Sequence, residues 1–169
     1  MKFYATLEHV LSFDRVTYYS FKVGDSSETN EISEFEDFKN KFGKTLEFRF
    51  IFGKLRAFGR TGARENYFRF EDKAVALPPY GSISELKTLH PEEENFVDLR
   101  LYCIRMSDRC VILLNGDIKT TTKALDCPNC RSHFQLANAI SRKIDKGISV
   151  GDFSIETAIA FMSQNQIEF

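Results

Sequence analysis

The stretch from Asn95 to Lys123, NFVDLRLYCIRMSDRCVILLNGDIKTTTK, constrains the fold of this chain more than any other part of it. Leu99 to Met106 alternates between apolar and polar residues, and Cys110 to Leu114 is almost wholly apolar. With Ser107 and Asp108 as a tight polar turn between them, the pattern predicts a β-hairpin buried on both faces, in the middle of a sheet. Charged side chains in such a hairpin cost free energy unless they reach solvent, a partner or a ligand. Arg100, Tyr102 and Lys119 are therefore the first places to look for a function.

If Ser107 and Asp108 form the loop, Met106 pairs with Arg109 and Arg100 lies opposite Asn115. Alternation then places Arg100, Tyr102, Ile104, Val111, Leu113 and Asn115 on one face, and Leu101, Cys103, Cys110, Ile112 and Leu114 on the other. Lys119 continues on the Arg100 face unless Gly116 supplies a bulge that flips it. It stands about 13 Å beyond Asn115, at about 3.3 Å per residue. The two cations are too far apart to clamp one phosphate from the backbone positions alone, but spaced to line a groove for successive nucleotides.

The rest of the chain supplies the elements around this hairpin. Met1 to Asp14 is a short strand or a turn of helix, and Val16 to Gly24 is a strand by its β-branched and aromatic content, followed by a polar loop. Ile32, Phe35, Phe38 and Phe42 recur at helical spacing, with Asn30 or Ser33 as cap and Gly43 as stop. A second helix runs from Thr45 to Phe58, and the two make an αα-hairpin closing at Gly59 and Gly62. Tyr67 to Phe70, Lys73 to Leu77 and Ser84 to Leu89 are expected as strands. After the central hairpin, Phe134, Ala137, Ile140 and Ile144 define a helix stopping at Gly147, and a short helix covers Ser154 to Ser163. The expected architecture is one α+β domain over residues 1–169: an N-terminal strand, the αα-hairpin, an antiparallel sheet with its central hairpin, and C-terminal helices. Its 169 residues suffice to fold alone or as a homodimer, with 17 Phe and no Trp in the core.

The net charge of −1 offers no global attraction to nucleic acid, yet charge is uneven along the chain. Lys44 to Arg64 carries six cations against Glu47 alone, and Asp98 to Lys146 carries nine against five Asp. These regions form either one basic surface able to attract phosphates, with Arg49, Lys54 and Arg56 off the buried stripe of the second helix, or ordinary solvated faces. No apolar run approaches the roughly 18 residues that span a bilayer, so a cytoplasmic protein without a membrane partner is expected. Cys127-Pro-Asn-Cys130 is half a zinc knuckle or a redox pair. With His133 as its only nearby third ligand, neither zinc nor another cofactor is expected, and the cysteines are expected as reduced thiols.

The order of an αα-hairpin, a hairpin-rich antiparallel sheet and a closing helix resembles the RelE/ParE superfamily of toxins from type II toxin-antitoxin systems, and within it the HigB-like subgroup. Leu99-Arg100-Leu101 resembles the family's "LR" strand, Arg109 to Gly116 resembles its "R-v-v-L-L-h-g" strand, and Ile118-Lys119-Thr120 sits where HigB-like chains have "F-x-K-K". Residues 31–146 take part, and residues 147–169 form a C-terminal tail with its short helix. Thr120 replaces the second Lys and Asn115 replaces a His. The resemblance implies a toxin whose partners are a small helix-turn-helix antitoxin, mRNA and the ribosome, and whose activity is metal-independent endoribonuclease cleavage. Such cleavage needs the 2′-hydroxyl deprotonated, the 5′-oxygen protonated and the phosphorane stabilised by cations. On this reading Arg100 and Lys119 are the stabilising cations and His133 is an acid or base. Arg105 and Lys123 support RNA binding, and Tyr102 stacks a base or holds a phosphate. Each has a structural alternative: Arg100 paired with Asp98 or Asp117, Tyr102 packed in the sheet, Lys119 a strand-end surface residue, His133 a helix N-terminal surface residue. The competing function is a catalytically silent module on the same scaffold, binding a protein or RNA partner.

Overall fold

The structure, a computed structural model, describes residues 2–26 and 28–169, so Met1 and Ser27, within the expected first segment and the polar loop, lie outside it. Seven strands form one sheet in the order β3-β4-β5-β6-β2-β1-β7. They are β1 (Tyr4–Ser12), β2 (Thr17–Gly24), β3 (Arg69–Glu71), β4 (Ala74–Leu77), β5 (Leu99–Ser107), β6 (Cys110–Ile118) and β7 (Ile167–Glu168). Every neighbouring pair is antiparallel except β2 with β6, which run parallel through Thr17 to Ser20 against Cys110 to Leu113. The sheet thus consists of two antiparallel halves joined by one short parallel pair.

Helices cover both faces. On one side lie α1 (Glu34–Phe42) and α2 (Leu46–Thr61), the expected αα-hairpin. Ser33 caps α1 by accepting from Glu36 N–H, Thr45 caps α2 by accepting from Phe48 N–H, and Gly62, at φ 97°, ends α2. Their Phe35, Phe38, Phe42, Phe48 and Phe58 pack on Tyr18, Leu101, Cys103, Val111 and Leu113 of the sheet. The Tyr18 hydroxyl, buried in this layer, donates to the Leu55 carbonyl at 2.7 Å. On the other side α4 (Arg131–Val150) and α5 (Ala158–Gln164) pack Ala137, Ile140, Ile144, Ala158 and Met162 on Phe21, Tyr102, Ile104, Ile112 and Leu114. Asn138 pins α4 to the sheet, its Oδ1 accepting from Lys73 N–H at 2.7 Å and Ala74 N–H at 2.8 Å.

Several expectations are corrected. Ser84 to Leu89 is no strand but the end of a helix, α3 (Ser82–Leu89). It starts after Gly81 in the left-handed conformation and buries Ser82 and Leu86, one helical turn apart, and that spacing decides a stretch whose composition is neutral between helix and strand. The N-terminal segment is a full nine-residue strand, and residues 167–168 add a strand not anticipated. Helix α4 runs through Gly147, which packs against Phe153, and stops at Gly151 with φ 83°.

The central hairpin forms, but in a different register. Ser107 pairs with Cys110, so Asp108 and Arg109 make the loop. Irregularities between Arg105 and Ser107 and between Leu101 and Cys103 place Arg100 opposite Asp117, not Asn115. Because side chains alternate, a one-residue slip inverts a strand. Ile112 and Leu114 share the α4 face with Tyr102 and Ile104, while Val111 and Leu113 share the α1/α2 face with Leu101 and Cys103. At Gly116 a Cβ would overlap the Arg100 carbonyl oxygen across the strand pair. Gly116→Ala is expected to cost about 3 kcal/mol, the upper part of the overpacking range. Urea unfolding of the variant with an unshifted midpoint would contradict this close approach.

Candidate functional site

Beyond Ser20 and Leu113 the parallel strands part. β2 continues beside β1 alone and β6 beside β5 alone. From their carboxyl ends the chain leaves in opposite directions, β2 toward α1 on one face and β6 toward α4 on the other. In open sheets this arrangement leaves a crevice where ligands commonly bind. Here it brings together polar side chains of α1, β6 and α4.

Asn115, 5% exposed, forms the floor. Its Nδ2 donates to Asp37 Oδ2 at 2.8 Å, and the Glu34 carboxyl also lies against the Asn115 amide. One turn along α1, exposed Lys41 pairs with the half-buried Asp117 of β6. His133, in the first turn of α4, approaches the same group from the other face, near enough to feel Asp117, Lys41 and Asp37. Burial pushes the Glu34 carboxyl up, against the opposing hydrogen bond from Asn115 and with help from Asp37. Burial also pushes the His133 imidazole down, and the Asp117 carboxylate offsets only part of that. This end of the sheet therefore holds a histidine lowered from its ordinary value and a carboxyl raised from its own, groups of the kinds that serve as base and acid in catalysis.

Of the residues singled out in the sequence, His133 enters this crevice. Lys119 lies at its β6 end, half-buried and in no ion pair among the described residues, its N–H bonded to the Asp98 carbonyl at 2.8 Å, and Lys123 is exposed on the following loop. Arg100 sits elsewhere. Its guanidinium is 6% exposed and engages Asp98 with two bonds, of 2.7 and 3.0 Å, and Glu71 with one of 3.3 Å. Of the two carboxylates weighed as its partner, Asp98 is therefore the one that holds it. Tyr102 is fully buried, edge-on to Phe134, with its hydroxyl beside the Cys130 thiol, and so presents no surface to a base. Arg105 donates to the Ala63 carbonyl at 2.7 Å and pairs with Asp108. On α2, Arg49 is exposed, Lys54 bonds Glu85 at 3.0 Å, and Arg56 lies over the Phe52 ring.

Glu34, Asp37, Lys41 and Asn115 were not anticipated as a site. Their spacing along α1 is that of a solvated helix face, and only the parting of β2 and β6 shows what that face meets. Asn115 and Asp117 flank Gly116, so the bulge was the one signal in the sequence that this end of the strand is irregular.

The CPNC segment closes the same end of the molecule. Cys127 is buried, and burial alone would raise its thiol. Donors from Thr120, Cys130 and Asn129 outweigh that and lower it to about 6, while burial pushes Cys130 up to about 12. Cys127 Sγ lies 3.4 Å from Thr120 N, and Cys130 donates to the Asp117 carbonyl at 3.5 Å, so both thiols tie the Lys119 loop to α4. Among the described residues no three His, Cys, Asp or Glu side chains are grouped to hold a metal ion, and no helix is long and apolar enough to cross a membrane. A cleft between α4 and the C-terminal strand has an apolar base of Ile144, Phe153, Phe161 and Ile167 and a polar rim that includes Lys143, Asp152 and Glu168. Comparison of the chain with protein-family models, curated proteins and solved structures finds no match.

Two measurements check this description. Arg100→Ala strands two carboxylates, and because Asp98 is about a third exposed, the expected loss is near the lower end of that for breaking a buried pair, about 3 kcal/mol. Equal urea midpoints for variant and parent would remove Arg100 from the framework. For Cys127 the native thiol sits below its ordinary value of about 8.5, so between about pH 6 and pH 8.5 the unfolded chain binds more protons and stability rises with pH. The stability gap between the parent and Cys127→Ser should therefore widen from pH 5.5 to pH 8.5. A gap independent of pH would show that the thiolate is not held.

Proposed function

We propose that this chain is a toxin-like protein of the RelE/ParE type that cleaves mRNA on the ribosome without a metal, and that the crevice between β2 and β6 is where it does so. The observation that carries the reading is that Glu34 meets Asn115 and His133 approaches Asp117 at the same end of β6, with burial raising the Glu34 carboxyl and lowering the His133 imidazole. The observed order of αα-hairpin, hairpin-rich sheet and closing helix supports the family resemblance. His133 takes the proton from the 2′-hydroxyl, O2′ attacks phosphorus, and the P–O5′ bond breaks as Glu34 supplies a proton to the leaving oxygen. Lys41 and Lys119 stabilise the charge that develops on the phosphorane. Asn115 positions Glu34, and Asp117 positions Lys41 and His133. Arg100 is a framework residue in this assignment. The Glu34, Asp37 and Asp117 carboxylates oppose a polyanion, and Lys41, Lys119 and Lys123 offset them.

A specific observation also favours the catalytically silent module. Lys41 and Arg100 are already paired with carboxylates, as they would be in a scaffold that only binds. Induced expression in a bacterial host separates the two readings. The proposal expects growth arrest and RNA fragments ending in 2′,3′-cyclic phosphate, in the presence of a chelator. His133→Ala and Glu34→Gln should each lower cleavage at least about 100-fold while keeping the parent's circular dichroism. Neutral imidazole is the active form, so the rate should fall as pH drops through the depressed His133 value. Normal growth and intact mRNA at verified expression of the parent chain would favour the binding module.

A further inference from the structure

The opposite end of β2 and β6 carries a second feature that the cleavage site does not use. Three turns meet there: residues 13–16, 59–65 and 105–109. Arg15 N–H donates to the Gly59 carbonyl at 2.9 Å, Ala63 N–H to the Asp108 carbonyl at 2.7 Å, and Thr17 N–H to the Arg109 carbonyl at 2.9 Å. Arg105, held by the Ala63 carbonyl and Asp108, locks two of the turns together. From this bonded scaffold Arg15, Arg60, Arg64 and Arg109 project into solvent, all exposed and none in an ion pair among the described residues. The sequence placed a basic surface on the flank of α2, but there Lys54 is already paired and Arg56 rests on a ring. Arg60 and Arg64 stand instead at the end of the helix, where Arg15 and Arg109 join them from outside it.

We propose that these four arginines form a docking surface for the phosphate backbone of RNA. Guanidinium forks match phosphate oxygens bidentately, and arginine rather than lysine is favoured where that geometry matters. Asp108 is neutralised by Arg105, which leaves Asp14 and Glu65 against the four free cations. On a chain of net charge −1 this is a local concentration of positive charge. The favourable position of cations at a helix C-terminus accounts for Arg60, in the last turn of α2, but not for Arg15 or Arg109, which belong to other elements. None of the exposed large apolar side chains lies in these turns. The surface therefore lacks the anchors a lipid bilayer or an apolar protein hot spot would need. β6 separates it from the crevice by about 25 Å at 3.3 Å per residue, so one RNA chain can reach both. The surface would serve RNA whether or not the crevice cleaves it.

The test is binding of the full chain to a 20-nucleotide, 2′-O-methyl RNA, which cannot be cleaved, followed by fluorescence anisotropy across a salt series. Replacing Arg15, Arg60, Arg64 and Arg109 together by Gln should weaken binding at least tenfold at low salt. It should also flatten the slope of log K against log salt by about 3, at roughly 0.7 per single-strand phosphate. Arg15→Gln with Arg109→Gln, a milder change, should flatten it by about 1.4, which guards against misfolding of the fourfold variant. Lys87→Gln, an exposed cation on α3 outside these turns, should bind like the parent, so docking is read separately from a mere change of net charge. An unchanged slope in both arginine variants overturns the proposal. So does a parent that binds phosphatidylserine vesicles but not RNA, or neither.

Discussion

The parallel pairing of Thr17 to Ser20 with Cys110 to Leu113 is the constraint on which the rest of the structure depends. It joins an N-terminal antiparallel hairpin to a four-stranded antiparallel group and so creates one sheet wide enough for two helices on each face. Its strands are buried on both sides, which is why Tyr18, Val111, Ile112 and Leu113 are all fully enclosed. Because the pairing stops after four residues while both strands continue, it also leaves the crevice that Asn115, Asp117 and His133 occupy. The fold and the candidate site are consequences of the same short ladder.

Charge in the middle of this sheet is resolved by pairing. Arg100 looked like an unexplained cation inside an apolar hairpin, and its cost is met by Asp98, two residues earlier, and by Glu71 from β3. Burial shifts groups inside the strands, among them Tyr18, Tyr102 and Cys103, and also groups at helix starts: Glu34 and His133 in the first turns of helices on opposite faces, and Cys127 just before α4. Of these, Glu34 and His133 are only partly buried, so they are perturbed without being sealed from solvent.

The elements were legible where local chemistry and packing agree. The Phe periodicity of residues 35–58, the Ser33 cap and the apolar run of the central hairpin each specify their element without help from elsewhere. Ser84 to Leu89 failed because its residues are neutral between helix and strand, and the decision falls to Gly81 and the burial of Leu86. The hairpin register failed because two irregularities, invisible in an alternating pattern, shift Arg100 from Asn115 to Asp117. His133 and Lys119 were legible as chemistry-bearing residues near the hairpin. Glu34, Asp37 and Lys41 were not, because a charged helix face acquires meaning only from what the tertiary fold sets opposite it.

The parallel joint also shapes how the chain must fold. Strands β2 and β6 are separated by the αα-hairpin, three further strands and α3. The contacts between them close only after a long loop has been ordered, and such non-local pairing is intrinsically slow. Until it closes, the apolar Cys110 to Leu114 strand presents an open edge, the kind of surface through which partly folded chains associate with one another. The early-forming Phe-rich helix pair, which packs on Val111 and Leu113, covers one face of that strand but not its hydrogen-bonding edge. Yield and aggregation during refolding should accordingly depend on chain concentration more than the stability of the finished sheet suggests.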